Sequence, residues 1–384
     1  MMPSCGSETA NREPEAGGER AAKCDSESGA GRREVKVCWA TEYEGIGNSF
    51  GYAVHNDCAA RAFADEVKSS RTESRRVQLR LVGYPEEAEI VVWVGPAHQF
   101  EPVRGRHNVL YTAWESEDIP ETFARGLRKA DAIVVTSDFL VDAVRRAVPG
   151  KRVYCCPLGV DTAKYSYRKR KRTGGTRFRY LWVGAPNARK GWEAVREAWR
   201  VFADDPSVEL YIKTTTPGVA RRLRRANLIW DSRRVSTDEL ARIYHKAHCF
   251  LFPSMGEGFG LTLAEAMATG LPCIYTPWSA MRDLMGLESP DSGTRRAAGE
   301  CGYPVGYELR AFESYPGERV RIAVPDVGDL AMKMAEVREK YPQALERGAA
   351  AARRIRAEFL WSRTGRRLYE IVEREWRILG GEGA

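Results

Sequence analysis

Residues 256–270, GEGFGLTLAEAMATG, join a glycine-rich loop to an alanine-rich segment that is typical of a helix. They follow the apolar run CFLFPS at 249–254, which predicts a buried strand. In a doubly wound α/β sheet, ligands bind beyond the carboxyl ends of the strands, where helix N-termini converge. A helix that begins near Leu261 or Thr262 would direct its free N–H groups and the positive end of its dipole into that cleft. Such a site suits a phosphate or diphosphate.

Two carboxylates, Glu257 and Glu265, flank the start of this helix. Because a carboxylate that faces a phosphate would repel it, we expect both side chains to accept hydrogen bonds from hydroxyls. Gly258 and Gly260 would let backbone amides approach the ligand closely. A ligand that offers both a diphosphate and hydroxyls is a nucleotide sugar. An alternative stays open for Glu265, since Thr262 and Glu265 also have the spacing of a capping box. For Glu257 the alternative is a solvated loop side chain.

The rest of the chain alternates short β-branched runs with longer helical patterns, which predicts parallel sheets covered on both faces. The pattern pauses at 157–177, a stretch rich in proline, glycine and charge, and then restarts. We therefore predict an α/β fold of two doubly wound Rossmann-like domains that face a cleft. The predicted units are a disordered tail 1–33, an N-terminal Rossmann-like domain 34–160, a linker 161–176, a C-terminal Rossmann-like domain 177–358 and a C-terminal helix 359–384 that packs back towards the first domain.

Composition narrows the class of protein. The 384 residues are 43% hydrophobic, which is ample for packed cores, and the longest apolar runs have only the length of strands. The first 33 residues lack the apolar centre of a secretion signal. Nine cysteines are scattered without a C-x2-C pair, as expected of buried thiols in a reducing compartment. We therefore expect a cytoplasmic protein without a transmembrane helix.

The formal net charge is +8, and basic residues cluster at 74–76, 168–172 and 221–225. Any one cluster is typical of a solvated surface. Together they favour a polyanionic partner or contact with an anionic membrane, and they do not choose between the two.

Residues 257–276 resemble the E-x7-E signature of the retaining glycosyltransferases of family 4, which adopt the GT-B fold. The similarity extends from about residue 35 to about residue 376. Further segments resemble family segments in the same order, namely TAWESEDIP (112–120), DAIVVTSDF (131–139), PLGVD (157–161), VGAPNARKGW (183–192) and STDELARIYHKAHCFLFPS (236–254). The resemblance implies that the first domain binds the acceptor and the second binds the donor.

The resemblance also implies roles for residues of the signature. Glu265 would hold the ribose hydroxyls of the donor, and Glu257 the hydroxyls of the transferred sugar. The backbone amides that would face the sugar or its phosphates belong to Gly258, Phe259, Gly260 and Leu261.

The donor-phosphate loop contains Gly184, and its Lys190 matches the family lysine that pairs with the diphosphate. A cation there would neutralise the leaving nucleoside diphosphate without a metal ion. The alternative is an exposed lysine at a helix start. The usual arginine after the loop glycine is replaced by Ala185, and Arg189 is near enough to substitute for it.

Candidate groups of the first domain are less closely matched. His98 lies a few positions after the place of the family histidine, and a surface role is the alternative. Glu115 is the better-placed polar group of the two. Gly45 and Gly47 match the glycine-rich turn after the first strand, where a flexible turn is the alternative.

The resemblance implies a retaining, metal-independent hexosyl or pentosyl transfer from a nucleotide-diphosphate sugar, without a cofactor. For the acceptor, a hydroxylated base in DNA, a lipid-linked or polysaccharide glycan and a protein serine or threonine stay open. A non-catalytic nucleotide-sugar-binding protein is a further alternative. A dinucleotide-dependent dehydrogenase is rejected, because EGIGNSFG at 44–51 lacks the G-x-G-x-x-G spacing.

Overall fold

The computed structural model describes residues 33–41, 51–70, 77–170, 177–217, 227–287 and 300–380, all of which lie in one unit, Arg33–Ala384. Its first half is a six-stranded parallel sheet in the order β2-β1-β3-β4-β5-β6. The strands are β1 (Arg33–Thr41), β2 (Val77–Val82), β3 (Ile90–Val94), β4 (His107–Thr112), β5 (Ala132–Val135) and β6 (Arg152–Cys155). The accompanying helices are α1 (Gly51–Ser70), α2 (Glu121–Lys129) and α3 (Asp138–Ala147), with 3-10 turns at Pro85–Glu87 and Ala97–Gln99.

The second half repeats this plan with a sheet in the order β12-β11-β10-β7-β8-β9. Its strands are β7 (Phe178–Val183), β8 (Val208–Lys213), β9 (Leu228–Asp231), β10 (Cys249–Phe252), β11 (Cys273–Tyr275) and β12 (Tyr303–Pro304). Its helices are α4 (Trp192–Ala198), followed by a 3-10 turn Trp199–Phe202, then α5 (Thr237–Lys246), α6 (Leu261–Ala268), α7 (Met281–Met285), α8 (Val327–Glu339) and α9 (Tyr341–Glu358). The strand order reverses between β7 and β10, so the segments after these two strands flank the crevice where such sheets bind ligands.

Helix α10 (Trp361–Leu379) returns to the first half and packs against α1. The approach is close, because a Cβ on Gly365 would lie 2.2 Å from the carbonyl oxygen of Ala62. On the same helix, the fully buried carboxylate of Glu375 accepts hydrogen bonds from His107 Nε2 at 2.8 Å, Arg152 Nε at 2.8 Å and Tyr154 Oη at 2.6 Å. The predicted fold class, two doubly wound domains with a C-terminal helix that crosses back, is therefore confirmed.

A two-stranded antiparallel hairpin, β13 (Tyr307–Tyr315) and β14 (Glu318–Pro325), has no counterpart in the sequence prediction. It extends from the second half to the loops after β4. Arg321 Nη2 lies 2.6 Å from Asp118 Oδ1, and the ring of Tyr315 stacks on Trp114 at a centroid distance of 5.9 Å. The hairpin thus joins the two halves beside the cleft.

Among the helices of the described ranges, none combines the length and the apolar character needed to cross a bilayer.

Candidate active site

The loop between β10 and α6 places the two signature carboxylates. Gly260 occupies the N-cap position of α6 with a φ of 94°, a left-handed conformation that favours glycine. Because the helix begins at Leu261, Thr262 lies inside the first turn and cannot cap it. The capping-box alternative for Glu265 is therefore wrong, and its carboxylate instead accepts a hydrogen bond from Tyr244 Oη at 3.0 Å.

The same loop leaves a run of backbone donors open. Within the described ranges, the amide N–H groups of residues 258–263 have no hydrogen-bond acceptor. The last three belong to the first turn of α6, whose amides have no partner inside the helix. Consecutive open amides at the positive end of a helix dipole form a site for an anion.

The loop after β7 brings a lysine to this point. Gly191, with a φ of 69°, lies so close to β10 that a Cβ would be 1.9 Å from the carbonyl oxygen of Pro253. The amide of Met255 donates to the carbonyl oxygen of Arg189 at 2.7 Å, which fixes the two loops together. As a result, Lys190 Nζ lies 2.5 Å from Glu257 Oε1.

Glu257 is buried, and its side chain is surrounded by donors. Ser254 Oγ donates to Oε1 at 2.7 Å, and Arg189 Nη1 lies 3.5 Å from Oε2. Burial raises the pKa of the carboxyl, but the charges of Lys190 and Arg189 together with these hydrogen bonds outweigh it and hold the pKa below its usual value. Glu257 is therefore ionised at neutral pH.

Arg189 connects the two domains. Its Nη1 donates to the carbonyl oxygen of Gly256 at 2.7 Å, and its Nη2 lies 3.5 Å from Glu115 Oε1. Burial lowers the pKa of the guanidinium, but Glu257 and Glu115 raise it above its usual value. The predicted residues Glu115, Arg189, Lys190 and Glu257 thus form one connected charge cluster.

Glu265 faces a different environment, a cavity of about 880 Å³ between the domains. Leu261 and Tyr165 also line the cavity, and α1 contributes the opposite wall through residues that include Arg61. Burial raises the pKa of Glu265 to about 7, although hydrogen bonds from Tyr244 and Tyr165 oppose the shift. The volume is sufficient for a nucleoside.

Glycine residues bring the signature loop against the first domain. A Cβ on Gly258 would lie 2.6 Å from the Cβ of Ala113, and the carbonyl oxygen of Gly258 accepts a hydrogen bond from Thr136 Oγ1 at 2.6 Å. The predicted role of Gly258 in ligand approach is therefore accompanied by a role in domain contact. Phe259 is buried, with its ring centroid 5.8 Å from that of Phe359.

The remaining predicted residues lie apart from the cluster. His98 is exposed, and its Nδ1 pairs with Tyr315 Oη of the hairpin at 2.9 Å, so the structure gives it a contact with the hairpin instead of one with the cluster. Gly184 follows β7, where its amide donates to the carbonyl oxygen of Lys213 at 3.0 Å. Gly45 and Gly47 lie outside the described residues.

Several groups of the site were not predicted from the sequence. Ser254 and Tyr244 hydrogen-bond the two carboxylates, and Tyr165 lines the same cavity as Glu265. Ser254 lies three residues before Glu257, a spacing that was visible in the sequence. Tyr165 and Tyr244 are distant in sequence, and only the fold brings them to Glu265.

No group of three or more His, Cys, Asp or Glu side chains that could hold a metal ion occurs in the described part of the chain. The predicted independence from metal ions stays a prediction.

Residues 177–293 match the protein family described as glycosyl transferases group 1. A curated relative, the MMP alpha-(1->4)-mannosyltransferase of Mycolicibacterium hassiacum, is 29% identical over 172 residues, which cover 43% of this chain and 38% of the relative. The chain thus matches well under half of that relative's length.

Two solved structures show the fold. Sucrose-phosphate synthase from Thermosynechococcus elongatus superposes with a TM-score of 0.65 at 14% identity, covering 90% of this chain and 100% of that chain. Anabaena HepE in complex with UDP and glucose gives a TM-score of 0.61 at 13% identity, covering 88% and 99%. The fold is thus GT-B, and the second domain resembles glycosyl transferase domains in sequence.

Proposed function

We propose that the protein is a retaining, metal-independent glycosyltransferase that moves a sugar from a nucleotide-diphosphate sugar to an acceptor hydroxyl. One observation carries the proposal. At the switch point of the second sheet, the open amides of residues 258–263 belong to the segment that joins the ionised Glu257, which contacts Lys190, to Glu265 of the cavity. The amides and Lys190 suit the diphosphate of such a donor, and the two carboxylates suit its hydroxyls.

Each chemical group of the donor is matched to residues of complementary charge or hydrogen-bonding character. Its diphosphate lies at the N-terminus of α6, where amide donors and the helix dipole favour negative charge. Lys190 retains N–H donors for the diphosphate, because its side chain is 25% exposed and makes one short contact, with Glu257. Glu265 accepts hydrogen bonds from the ribose, and Glu257 accepts them from the transferred sugar.

The chemical step follows from the charges that surround the leaving group. As the bond between the sugar and the phosphate breaks, negative charge grows on the diphosphate, and Lys190 and the amides stabilise it. The acceptor hydroxyl enters on the same face of the sugar, and an oxygen of the departing phosphate takes its proton. No residue is required as a covalent nucleophile. The anomeric configuration is therefore retained.

The charge cluster gives Arg189 and Glu115 positioning roles. Arg189 binds the carbonyl oxygen of Gly256 and so holds the loop that carries Glu257. Glu115 reaches the same guanidinium from the first domain. Arg189 stays the proposed replacement for the arginine that is absent at Ala185.

For the acceptor we propose a macromolecule of anionic character, because the chain has a net charge of +8. A hydroxylated base of DNA and a lipid-linked or polysaccharide glycan are the two candidates. One relative is a mannosyltransferase and one protein of similar fold binds UDP and glucose, and neither likeness selects an acceptor for this chain. Protein O-glycosylation and non-catalytic nucleotide-sugar binding are the alternatives.

The donor is tested by thermal-shift measurements with UDP-, GDP- and ADP-sugars. One nucleotide class should raise the melting temperature, and Lys190→Ala should abolish that shift. Lys129→Ala is the matched control. Lys129 is the last residue of α2 and forms an exposed ion pair with Glu101, so its removal should leave the nucleotide shift unchanged. A full shift in the Lys190→Ala protein would contradict the phosphate site.

The acceptor is tested by binding at increasing salt. Duplex DNA binding that falls steeply with salt supports a DNA acceptor, whereas retention on anionic vesicles supports a lipid-linked one. Mass spectrometry of the bound acceptor after incubation with the donor then reports the transferred sugar.

A further inference from the structure

A basic groove lies at the edge of the second sheet opposite to the candidate active site. It has a volume of about 560 Å³ and is bordered by the amino ends of β7 and β8, the end of α5 and the start of α9. Six arginine or lysine side chains and one carboxylate line it, namely Arg168, Lys169, Arg170, Arg177, Arg179, Lys246 and Glu209. Glu209 is engaged by Arg179 at 2.6 Å, so the groove has a large excess of positive charge.

Three of these cations have no carboxylate partner within the described ranges. Neither Lys169 nor Lys246 has a carboxylate within ion-pair distance there. The same holds for Arg170, whose guanidinium is bound by the carbonyl oxygens of Thr269 and Tyr244. Burial lowers the pKa of Arg170 to about 10, as expected for a cation that is buried without a counter-ion.

Three of the residues that line the groove have buried polar atoms that lack partners. Tyr341 is only 2% exposed, and its hydroxyl has no hydrogen-bond partner. Nε of Arg170 is also buried and unpartnered. Nδ1 of His245 is a third such atom, since the ring of His245 uses Nε2 to donate to the carbonyl oxygen of Ser166 at 2.8 Å.

Such atoms are rare, because a buried polar group without a partner costs free energy. Here three of them line one groove, and Arg170 is close enough to influence the charge state of both Tyr341 and His245. The Tyr341 hydroxyl and Arg170 Nε are donors. Nδ1 of His245 is an acceptor, because Nε2 carries the proton of the neutral ring and burial lowers the pKa of His245. A basic surface that serves only for solubility has no need of buried, unpartnered donors such as the Tyr341 hydroxyl and Arg170 Nε.

We propose that this groove binds a phosphate group. Its ligand is a phosphate-bearing molecule, either a free phosphate compound or the headgroup of an anionic lipid. A phosphate group supplies acceptor oxygens for the buried donors and negative charge for the surrounding cations. The site is separate from the candidate donor site, because it lies at the amino ends of the strands and the donor site follows their carboxyl ends.

The test compares inorganic phosphate and pyrophosphate with chloride at equal ionic strength, using thermal shift and calorimetry on the full chain. Tyr341→Phe is the informative variant. It removes only an unpartnered hydroxyl and keeps the ring that packs on Phe178 at a centroid distance of 5.2 Å. Its melting temperature without phosphate should equal that of the parent, and its phosphate affinity should fall about tenfold.

The double variant Lys169→Ala/Lys246→Ala should weaken phosphate binding further, since it removes two of the unpaired cations. Lys190→Ala is the control, because it disables the candidate donor site and should leave inorganic phosphate binding at the groove unchanged. An equal phosphate effect in all four proteins, or no effect in the parent, would overturn the proposal. Neither result bears on the nucleotide-sugar shifts that test the proposed function.

Vesicles identify the source of the phosphate group. A lipid headgroup is the ligand if the protein co-sediments with vesicles that contain phosphatidylglycerol but not with vesicles of phosphatidylcholine alone. The Tyr341→Phe variant should then lose this co-sedimentation. Phosphate binding without vesicle binding would assign a free phosphate compound. If duplex DNA binds through Lys169 and Lys246 while phosphate ions leave the melting temperature unchanged, the groove binds a nucleic-acid backbone. The proposal of a site for a single phosphate group is then wrong.

Discussion

Glu257 and Glu265 lie eight residues apart at the start of one helix, yet their surroundings are opposite. Glu257 contacts two cations and a serine hydroxyl, and its pKa lies below the usual range. Within the described part of the chain, Glu265 contacts tyrosine hydroxyls and no cation, and burial raises its pKa to about 7. The first therefore stays charged at any physiological pH, whereas the second changes its charge near neutrality.

This contrast shows that one sequence motif can supply carboxylates with two different functions. A carboxylate that must remain ionised beside a developing negative charge needs cations, and the loop after β7 supplies them. A carboxylate that holds hydroxyls in a closed cavity needs only hydrogen-bond partners and space. Changing each carboxylate, or its partners, tests this contrast.

The largest effect is expected for Glu257→Gln. The neutral amide cannot balance Lys190 and Arg189, and it accepts weaker hydrogen bonds from the sugar. We expect the rate of sugar transfer and of donor hydrolysis to fall about 10³-fold, a loss typical of an electrostatic group at the reaction centre. Steady-state kinetics with the donor identified by thermal shift measure it, with circular dichroism to verify folding. Unchanged turnover would favour the non-catalytic alternative.

A smaller loss is expected for Lys190→Ala, about 10²-fold in kcat/KM, because one charge-assisted contact to the diphosphate disappears. The variant also leaves Glu257 with fewer counter-charges, so the pKa of Glu257 should rise. Lys190→Arg should recover part of the nucleotide binding. If the alanine variant kept normal kcat/KM, Lys190 would have only the role of a partner for Glu257.

Glu375 provides a third carboxylate, remote from the cleft, as a structural reference. Burial raises its pKa, but hydrogen bonds from His107, Arg152 and Tyr154 outweigh this and lower the pKa to about 2. A depressed pKa means that its contribution to stability is present above about pH 4.5 and is lost as the pH falls towards about 2. We expect Glu375→Gln to lower the free energy of unfolding by about 2 kcal/mol at neutral pH.

Urea unfolding across this pH range measures the effect. The loss caused by Glu375→Gln should shrink as the pH falls, because the parent carboxylate becomes protonated. The variant should keep its nucleotide affinity, which separates Glu375 from the two carboxylates of the cleft. An equal loss of stability at all pH values would show that the charge of Glu375 is unimportant.

The smallest effect is expected from the titration of Glu265. The raised pKa means that the carboxylate is partly protonated below about pH 7, and a protonated carboxyl is a weaker acceptor for ribose hydroxyls. Nucleotide affinity should therefore rise several-fold between about pH 6 and about pH 8. In Glu265→Gln this rise should disappear, as calorimetry at each pH would show. A rise that persists in the variant must come from another group.

The sequence predicted those parts of the site that depend on local order. The strand, glycine loop and helix at 249–268 lie where the pattern of apolar runs and glycines indicated. The loop after β7 was also located, since its lysine and glycine lie next to a predicted strand. Local patterns are reliable here because every segment that directly follows a strand of a parallel sheet begins at the same carboxyl edge, where ligands bind.

Contacts between distant segments could not be predicted in this way. The hairpin β13–β14 was missed because most of β13 is exposed, so ELRAFES shows no buried apolar face. His98 was assigned to the cleft by resemblance, but its partner Tyr315 lies on that hairpin. Tyr244 and Tyr165 reach Glu265 from separate elements, and their effect on its pKa depends on burial that no local pattern reports.

The position of α10 has a consequence for how the protein is made. The first domain leaves the ribosome early, but residues 361–379, which cover α1 and accept the hydrogen bonds of His107 and Arg152, are synthesised more than 200 residues after β6. Until then the nascent chain lacks the α10 side chains, such as Leu368 and Trp376, that belong to the same apolar cluster as Phe63 and Val67. The surface of α1 that α10 covers is therefore complete only after residues 361–379 have been synthesised, and in that interval it is available to chaperones that bind apolar surfaces.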